Sequence, residues 1–173
     1  RDLSTLVGEL VGDIRRGIDL TGRLDLILAR ARYSSAISGV RPLPRQGRRE
    51  SDGTSGVSDA SVRLLNARHP MLGKEAVPIN LTIGPEWSVL VITGPNTGGK
   101  TVAMKTVGLL ALMHQSGLQV PADEGSSLPV FYGIYADVGD QQSIERSVST
   151  FSSHMRSVIE ILKEAGPDSL VLL

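Results

Sequence analysis

The sequence predicts an α/β fold in which helices flank a sheet. Three observations support this. Short β-prone runs alternate with helical segments through residues 61–173, a glycine-rich loop joins one run to a helix, and the apolar residues are mainly aliphatic, since aromatic residues make up only 3% of the chain. Strands that alternate with helices of this length are typical of a sheet with crossover connections.

The first predicted element is helical and covers residues 1–40. Its apolar residues recur at spacings of three and four: Leu3, Leu6, Leu10 and Ile14, then Leu24, Ile27, Leu28 and Ala31. Gly17 and the stretch "LTGRLD" predict a turn between two helical pieces. The pattern indicates packing, because any amphipathic helix shows it, and it indicates no chemistry.

Residues 41–60, "RPLPRQGRRESDGTSGVSDA", predict a flexible linker or loop. They hold two prolines, three glycines and almost no apolar residue, so they cannot bury enough surface to order themselves. Four arginines in this segment suit phosphate backbones, but a solvated charged loop is the simpler interpretation; they are Arg41, Arg45, Arg48 and Arg49. The predicted domains are therefore residues 1–40, the linker, and residues 61–173.

After residue 60 the elements become strands and helices in alternation. The runs "SVRLL", "VPINLTI" and "WSVLVI" predict strands, and "TVAMKTVGLLALMHQ" predicts a helix buried against the sheet. The runs "LQVPA" and "LPVFYGIYADVG" follow, and then a second helix over residues 150–165, which Gly166 and Pro167 end. The final "SLVLL" predicts a buried strand.

The loop "GPNTGGKT" carries the main functional signal. Gly94, Gly99, Lys100 and Thr101 match the phosphate-loop pattern Gly-x-x-x-x-Gly-Lys-Ser/Thr, between a predicted strand at residues 89–92 and a helix. The alternative is a glycine-rich turn with an incidental lysine. The predicted nucleotide-binding residues are Gly94, Pro95, Asn96, Thr97, Gly98, Gly99, Lys100 and Thr101.

The chemistry of this pattern predicts ATP and Mg²⁺ as cofactors. Glycines let successive N–H groups converge on a phosphate, and the positive end of the helix adds to them. Lys100 supplies charge to the β- and γ-phosphates, and the Thr101 hydroxyl is a ligand for Mg²⁺. Hydrolysis also needs an acidic residue at the end of a neighbouring strand, which we expect just after Leu173.

Bulk composition narrows the class of protein. The formal net charge is +0, which argues against a nucleic-acid-binding surface spread over the whole domain. The chain has no cysteine, so disulfides and thiolate metal sites are excluded. Without a signal peptide or a long apolar run, we expect a cytoplasmic protein with no membrane partner.

Several segments together resemble the ATPase domain of the MutS family, and more closely its second bacterial branch, MutS-two. They are "LLNARHPML", "VITGPNTGGKT", "GLQVPADEGSSLPVF", "ADVGDQQSIERSVSTFSSHM" and "SLVLL". Residues 1–40, with "LDLILARARY", resemble the end of the helical lever that precedes that domain. The resemblance implies an ABC-like P-loop NTPase sheet that works as a homodimer.

The resemblance also implies roles for residues outside the loop. Ser149 and Thr150 in "STF" would face the γ-phosphate bound on the partner subunit, although either could simply cap a helix. "RHP", with His69, would lie near the base, and Asp137, Asp140, Gln141 and Gln142 near the active site, where solvated turn residues are the plainer alternative. His69 and His114 are expected to be structural, and His154 is a candidate for the nucleotide interface.

Two hypotheses about function follow. The first is an ATP-hydrolysing motor of the MutS family that acts on DNA structures in recombination control, on stalled ribosomes, or on both, with mismatch repair as the second choice in this class. The second is a nucleotide-binding interaction module without turnover. Acidic residues directly after Leu173 would favour the motor.

Overall fold

The computed structural model describes residues 2–44, 61–84, 86–95, 98–138 and 147–173. It is a mixed α/β structure, as the sequence predicts. In chain order its elements are α1 (Asp2–Ala36), β1 (Leu43–Pro44), β2 (Val62–Ala67), a 3-10 helix (Pro70–Glu75), β3 (Ile79–Ile83), α2 (Lys100–Gln115), β4 (Ser127–Leu128), β5 (Gly133–Ala136), α3 (Ser147–Glu164) and β6 (Ser169–Leu172).

Helix α1 runs without interruption through 35 residues, a length of about 52 Å. The predicted turn at Gly17 is therefore wrong. The Thr21 hydroxyl donates to the Gly17 carbonyl at 2.7 Å inside the continuous helix. A glycine in a helix interior costs only about 1 kcal/mol relative to alanine, and the strong helix formers around it offset that cost.

The end of α1 is joined to the turn that follows α2. Arg30 Nη2 donates to the Ser116 carbonyl at 3.0 Å, and the Ser34 hydroxyl donates to Gln119 Oε1. Val40 and Val120 then exchange two backbone hydrogen bonds of 2.8 and 3.0 Å. Between residues 4 and 33 the described side chains of α1 are exposed, so its contacts with the described remainder concentrate at this end.

A four-stranded sheet follows, in the order β1-β4-β2-β3. Strand β1 is parallel to β4, whereas β2 is antiparallel to both β4 and β3. Strand β1 lies inside the segment predicted as a linker, and Pro42 just before it is buried. Residues 45–60 of that segment lie outside the described residues.

The second sheet consists of the parallel pair β5 and β6. Its register runs from Gly133 opposite Ser169 to Ala136 opposite Leu172. Helix α3 connects the two strands, so they form a β-α-β unit, as expected for parallel neighbours. The predictions of a strand at "SLVLL" and of a helix before it are confirmed.

Helix α2 joins both sheets in one hydrophobic core. Its buried residues are Thr106, Val107, Gly108, Leu110, Ala111 and Met113. The four apolar side chains among them, Val107, Leu110, Ala111 and Met113, pack in a cluster that also contains Val62, Leu64 and Ala67 from β2, Leu128 from β4 and Leu170 from β6. The predicted burial of this helix is confirmed, and the core fixes α2 relative to both sheets.

The predicted strand at residues 89–92 is not observed. This segment forms no ladder with any strand in the described part of the chain, and Val89 and Val91 are each 75% exposed. A β-strand is defined by its hydrogen bonds to a neighbouring strand. A run of β-prone residues does not form one unless such a neighbour is present. The continuous P-loop sheet expected from the sequence therefore gives way here to two small sheets.

Among the helices of the described ranges, none combines sufficient length with sufficient apolar content to cross a bilayer.

Candidate phosphate-binding site

The glycine-rich loop leads directly into α2. Gly99 is the N-cap residue of this helix with φ 73°, and Gly94 has φ 144°, both in the region that side chains with a Cβ rarely adopt. Gly99 forms no side-chain cap, and its carbonyl accepts from Ala103 N–H at 2.9 Å. A helix start of this kind presents backbone N–H groups and a positive partial charge to an anion.

The Lys100 side chain folds back over the loop. Its ammonium donates to the carbonyl of Gly94 and, at 3.0 Å, to that of Pro95. Gly98 N–H also donates to the Pro95 carbonyl at 2.9 Å, which closes a tight turn. The ammonium is therefore held against the backbone of the glycine-rich loop. Asn96 and Thr97 lie outside the described residues.

The residues present suit a polyphosphate with Mg²⁺. Thr101 is half-buried in the first turn of α2, and its hydroxyl is an oxygen of the kind that Mg²⁺ binds. Mg²⁺ in nucleotide sites takes one or two protein oxygens and completes its shell with phosphate oxygens and water. Within the described ranges, no three His, Asp or Glu side chains form a group that could hold a metal alone. Thr101 together with the nucleotide would therefore hold this ion.

The packing of α2 shows which end of the sheet the loop faces. At the C-terminal end of α2, the Gln115 amide donates to the Phe131 carbonyl at 3.1 Å and accepts from Phe131 N–H at 3.0 Å, just before β5 begins. Earlier in α2, Gly108 lies against Leu172, at the carboxyl end of β6. Helix α2 therefore runs antiparallel to β5 and β6.

This direction places the loop beyond the carboxyl ends of β5 and β6. Lys100 precedes Gly108 by eight residues, a helical rise of about 12 Å. Ligands of parallel α/β sheets bind outside the carboxyl ends of the strands. The packing thus puts the predicted phosphate loop at the edge where the general rule expects a ligand.

Asp137 and His154 meet at the same edge. Asp137 directly follows β5, and its N–H donates to the Leu172 carbonyl at 2.8 Å. Its carboxylate Oδ2 lies 2.8 Å from Nδ1 of His154 on α3, and the two side chains are 19% and 38% exposed. The sequence suggested both residues for this region but not their contact, because they are 17 positions apart. Asp140, Gln141 and Gln142, which come between them in the sequence, lie outside the described residues.

Ser149 and Thr150 belong to the start of α3. Because α3 connects the carboxyl end of β5 to the amino end of β6, its N-terminal end lies on the same side of the sheet as the phosphate loop. The side chains of these two residues lie outside the described part of the structure, so their contact with a partner's nucleotide stays a prediction.

The two other histidines have structural contacts. His69 Nδ1 accepts from Met71 N–H at 3.3 Å and thereby caps the 3-10 helix. His114 is half-buried near the end of α2, and burial lowers its pKa, with a further contribution from the positive charge of Arg41. A hydrogen bond with the backbone of Leu128 opposes this shift.

Comparison with known proteins identifies the class of domain. Residues 90–173, which contain the glycine-rich loop, α2 and the β-α-β unit, match the family model "MutS domain V". The chain therefore carries a MutS-type domain.

Similarity to curated proteins narrows the class further. The chain is 50% identical over 172 residues to the endonuclease MutS2 of Pelotomaculum thermopropionicum, which covers 99% of this chain and 20% of that protein. It is 45% identical over 173 residues to the endonuclease MutS2 of Bacillus velezensis, and 45% identical over 172 residues to that of Clostridioides difficile, with 99% of this chain and 20% of each relative covered. The chain belongs to the MutS family and is MutS2-like. It spans about a fifth of the length of these relatives.

Proposed function

We propose that this chain is the nucleotide-binding part of a MutS-family ATPase, with ATP and Mg²⁺ bound at residues 94–101. The main support is the start of α2. There the N-cap residue Gly99 has no side chain to cap the first N–H groups of the helix, and the Lys100 side chain lies over the loop. The position of this loop beyond the carboxyl ends of β5 and β6 agrees with the general location of ligands in such folds.

Lys100 has a defined part in this proposal. In the structure its ammonium donates to two neutral backbone carbonyls. Phosphate oxygens carry negative charge, and hydrogen bonds between charged partners are roughly twice as strong as neutral ones. Binding of ATP would therefore exchange the carbonyl contacts for stronger ones, while the backbone N–H groups at the helix start hold the β-phosphate.

Hydrolysis is proposed for the full-length protein as a homodimer. Mg²⁺, when bound, neutralises the charge that develops on the β- and γ-phosphates. Thr101 would hold this ion, together with an acidic residue expected after Leu173. Ser149 and Thr150 would contact the γ-phosphate across the dimer, since hydroxyls near a helix start suit phosphate oxygens.

We propose DNA as the target of the full-length protein. The relatives are named endonucleases, and their shared MutS2 name favours that branch over mismatch repair. The ribosome is a second target suggested by the resemblance. Measuring ATP turnover with branched DNA, with ribosomes and with neither would distinguish the two, because a target that couples to the nucleotide site changes its turnover.

Steady-state ATP hydrolysis by the full-length protein tests the nucleotide site. We expect Lys100→Ala to lower kcat/KM about 10- to 100-fold, because it removes a charged hydrogen bond to the phosphates. Lys105→Ala is the matched control, because it removes an exposed lysine from the same helix outside the loop. Equal turnover in the two variants would refute the site. ATP binding without any turnover in the unmodified protein would favour the binding-only module.

Mixing two impaired variants tests whether the site is shared between subunits. In a heterodimer of Lys100→Ala and Ser149→Ala chains, one site has an intact loop and an intact Ser149 only if Ser149 acts on the partner's nucleotide. We expect the mixture to hydrolyse ATP faster than either variant alone. A mixture no faster than the separate variants, although heterodimers form, would contradict the shared site.

A further inference from the structure

The contact between Asp137 and His154 joins two elements at the carboxyl edge of the β5-β6 sheet. Asp137 Oδ2 and His154 Nδ1 lie 2.8 Å apart, an ion-pair distance. At this distance the carboxylate and the imidazole are in direct polar contact. Oδ2 is buried and has no well-aligned hydrogen bond from the described residues, and the imidazole of His154 is the polar group that lies beside it.

Each partner is fixed to a different part of the molecule. Asp137 is held by its N–H, which donates to the Leu172 carbonyl, and Leu172 in turn lies against Gly108 of α2. His154 belongs to the second turn of α3. The contact therefore links the helix that carries the phosphate loop to α3, through the carboxyl ends of the two strands.

The contact acts on the second turn of α3, close to its N-terminal end. Met155 and Arg156 just after it are exposed, whereas Ile161 in the C-terminal half is buried. Residues four apart lie on one face of a helix, so position 150 precedes His154 by one turn on the same face. Fixing His154 thus fixes both the axial position and the rotation of the first turn.

We propose that Asp137 and His154 are positioning residues that set where the first turn of α3, with Ser149 and Thr150, stands relative to the phosphate loop. This role rests on the proposed function, because it matters for turnover only if that turn contacts the nucleotide of the partner subunit. In this role neither residue needs to touch ATP. Their contribution is to hold a neighbouring group in reactive geometry, and small misplacements of such groups cost much of the rate.

The test uses the full-length protein and the variants His154→Ala, Asp137→Asn and both together. We expect kcat for ATP hydrolysis to fall about 10- to 100-fold in each, the cost of a misplaced contact. The affinity for ATP should change less than about threefold, because the phosphate loop itself is intact. The double variant should be no worse than either single one, since both remove the same contact.

Two further variants separate positioning from general loss of structure. His154→Asn keeps a donor near the place of Nδ1 and should restore most of kcat. Arg156→Ala removes an exposed side chain two residues later on α3 and should leave kcat unchanged. Additive losses in the double variant, no rescue by asparagine, or a loss of ATP affinity as large as the loss of kcat would overturn the proposal.

Amide hydrogen exchange provides a readout without ATP. Exchange at residues 147–157 should be faster in His154→Ala than in the unmodified protein and in Arg156→Ala, because the first turns of α3 lose their anchor. Unchanged exchange overturns the positioning role even if the protein hydrolyses ATP. If exchange is faster but the unmodified protein neither binds nor hydrolyses ATP, the proposed function fails and the role in turnover fails with it.

Discussion

The conformation of the loop at Gly99 requires a glycine. Its φ of 73° is unfavourable for any residue with a Cβ. We therefore expect Gly99→Ala to lower the free energy of unfolding by about 1 kcal/mol and to weaken ATP binding. Gly17→Ala is the matched control, because nothing lies within 4 Å of the added Cβ in α1.

The control substitution, Gly17→Ala, should raise the free energy of unfolding instead of lowering it. Alanine in an exposed helix interior stabilises by about 0.5–1 kcal/mol relative to glycine. Urea unfolding of both variants measures the two effects. Equal changes in the free energy of unfolding would show that the loop does not require the conformation seen at Gly99.

His114 predicts a dependence of stability on pH. Its pKa in the folded chain is lowered, chiefly by burial, so the unfolded chain binds a proton at His114 more readily than the folded one. The stability that comes from neutral His114 is complete above about pH 6.5 and is lost as the pH falls towards the lowered value. Urea unfolding between pH 5 and 8, roughly the range in which histidine titrates, should show a weaker pH dependence in His114→Gln. Parallel curves for the two proteins would contradict this.

At the level of single residues, the sequence predicts local backbone conformation but not contacts between distant positions. The spacing of Gly94, Gly99 and Lys100 indicates a loop before a helix, and α2 begins at Lys100. The pairing of Asp137 with His154 could not be predicted, because it depends on how α3 packs against the edge of the sheet. Local patterns report local backbone preferences, whereas contacts between distant positions arise from tertiary packing.

Gly108 allows α2 to approach β6 closely. A Cβ at this position would lie 2.6 Å from Cδ1 of Leu172. Rotation of the Leu172 side chain can accommodate alanine, but a branched residue overpacks the contact. We expect Gly108→Val to lower the free energy of unfolding by about 1–3 kcal/mol.

A double-mutant cycle tests this contact. Leu172→Ala should recover part of the loss caused by Gly108→Val, because it removes the atoms that clash. Urea unfolding of the four proteins gives the coupling energy. Strictly additive effects would show that α2 and β6 do not meet at this pair.

The longer segments show why some elements were predicted and others were not. Helix α2 and strand β6 form as predicted because their apolar faces pack in the shared core. Residues 89–92 have the composition of a strand but no neighbour among the described strands, and composition cannot supply one. Gly17 does not end α1, because helix formers on both sides offset its cost.

The fold as a whole brings three features to one edge of the β5-β6 sheet. The direction of α2 places the predicted phosphate loop there, the ends of β5 and β6 place Asp137 there, and the β-α-β connection brings the start of α3 to the same side. None of the three is adjacent to the others in the sequence. Their common location is the main argument for a nucleotide site that uses both helices.

Calorimetric titration of the full-length protein with ATP, with and without Mg²⁺, tests this account most directly. We predict one ATP bound per chain, binding that is at least about tenfold weaker in Lys100→Ala, and unchanged binding in Lys105→Ala. Binding that survives Lys100→Ala, or that Lys105→Ala removes equally, would contradict a phosphate site at the start of α2.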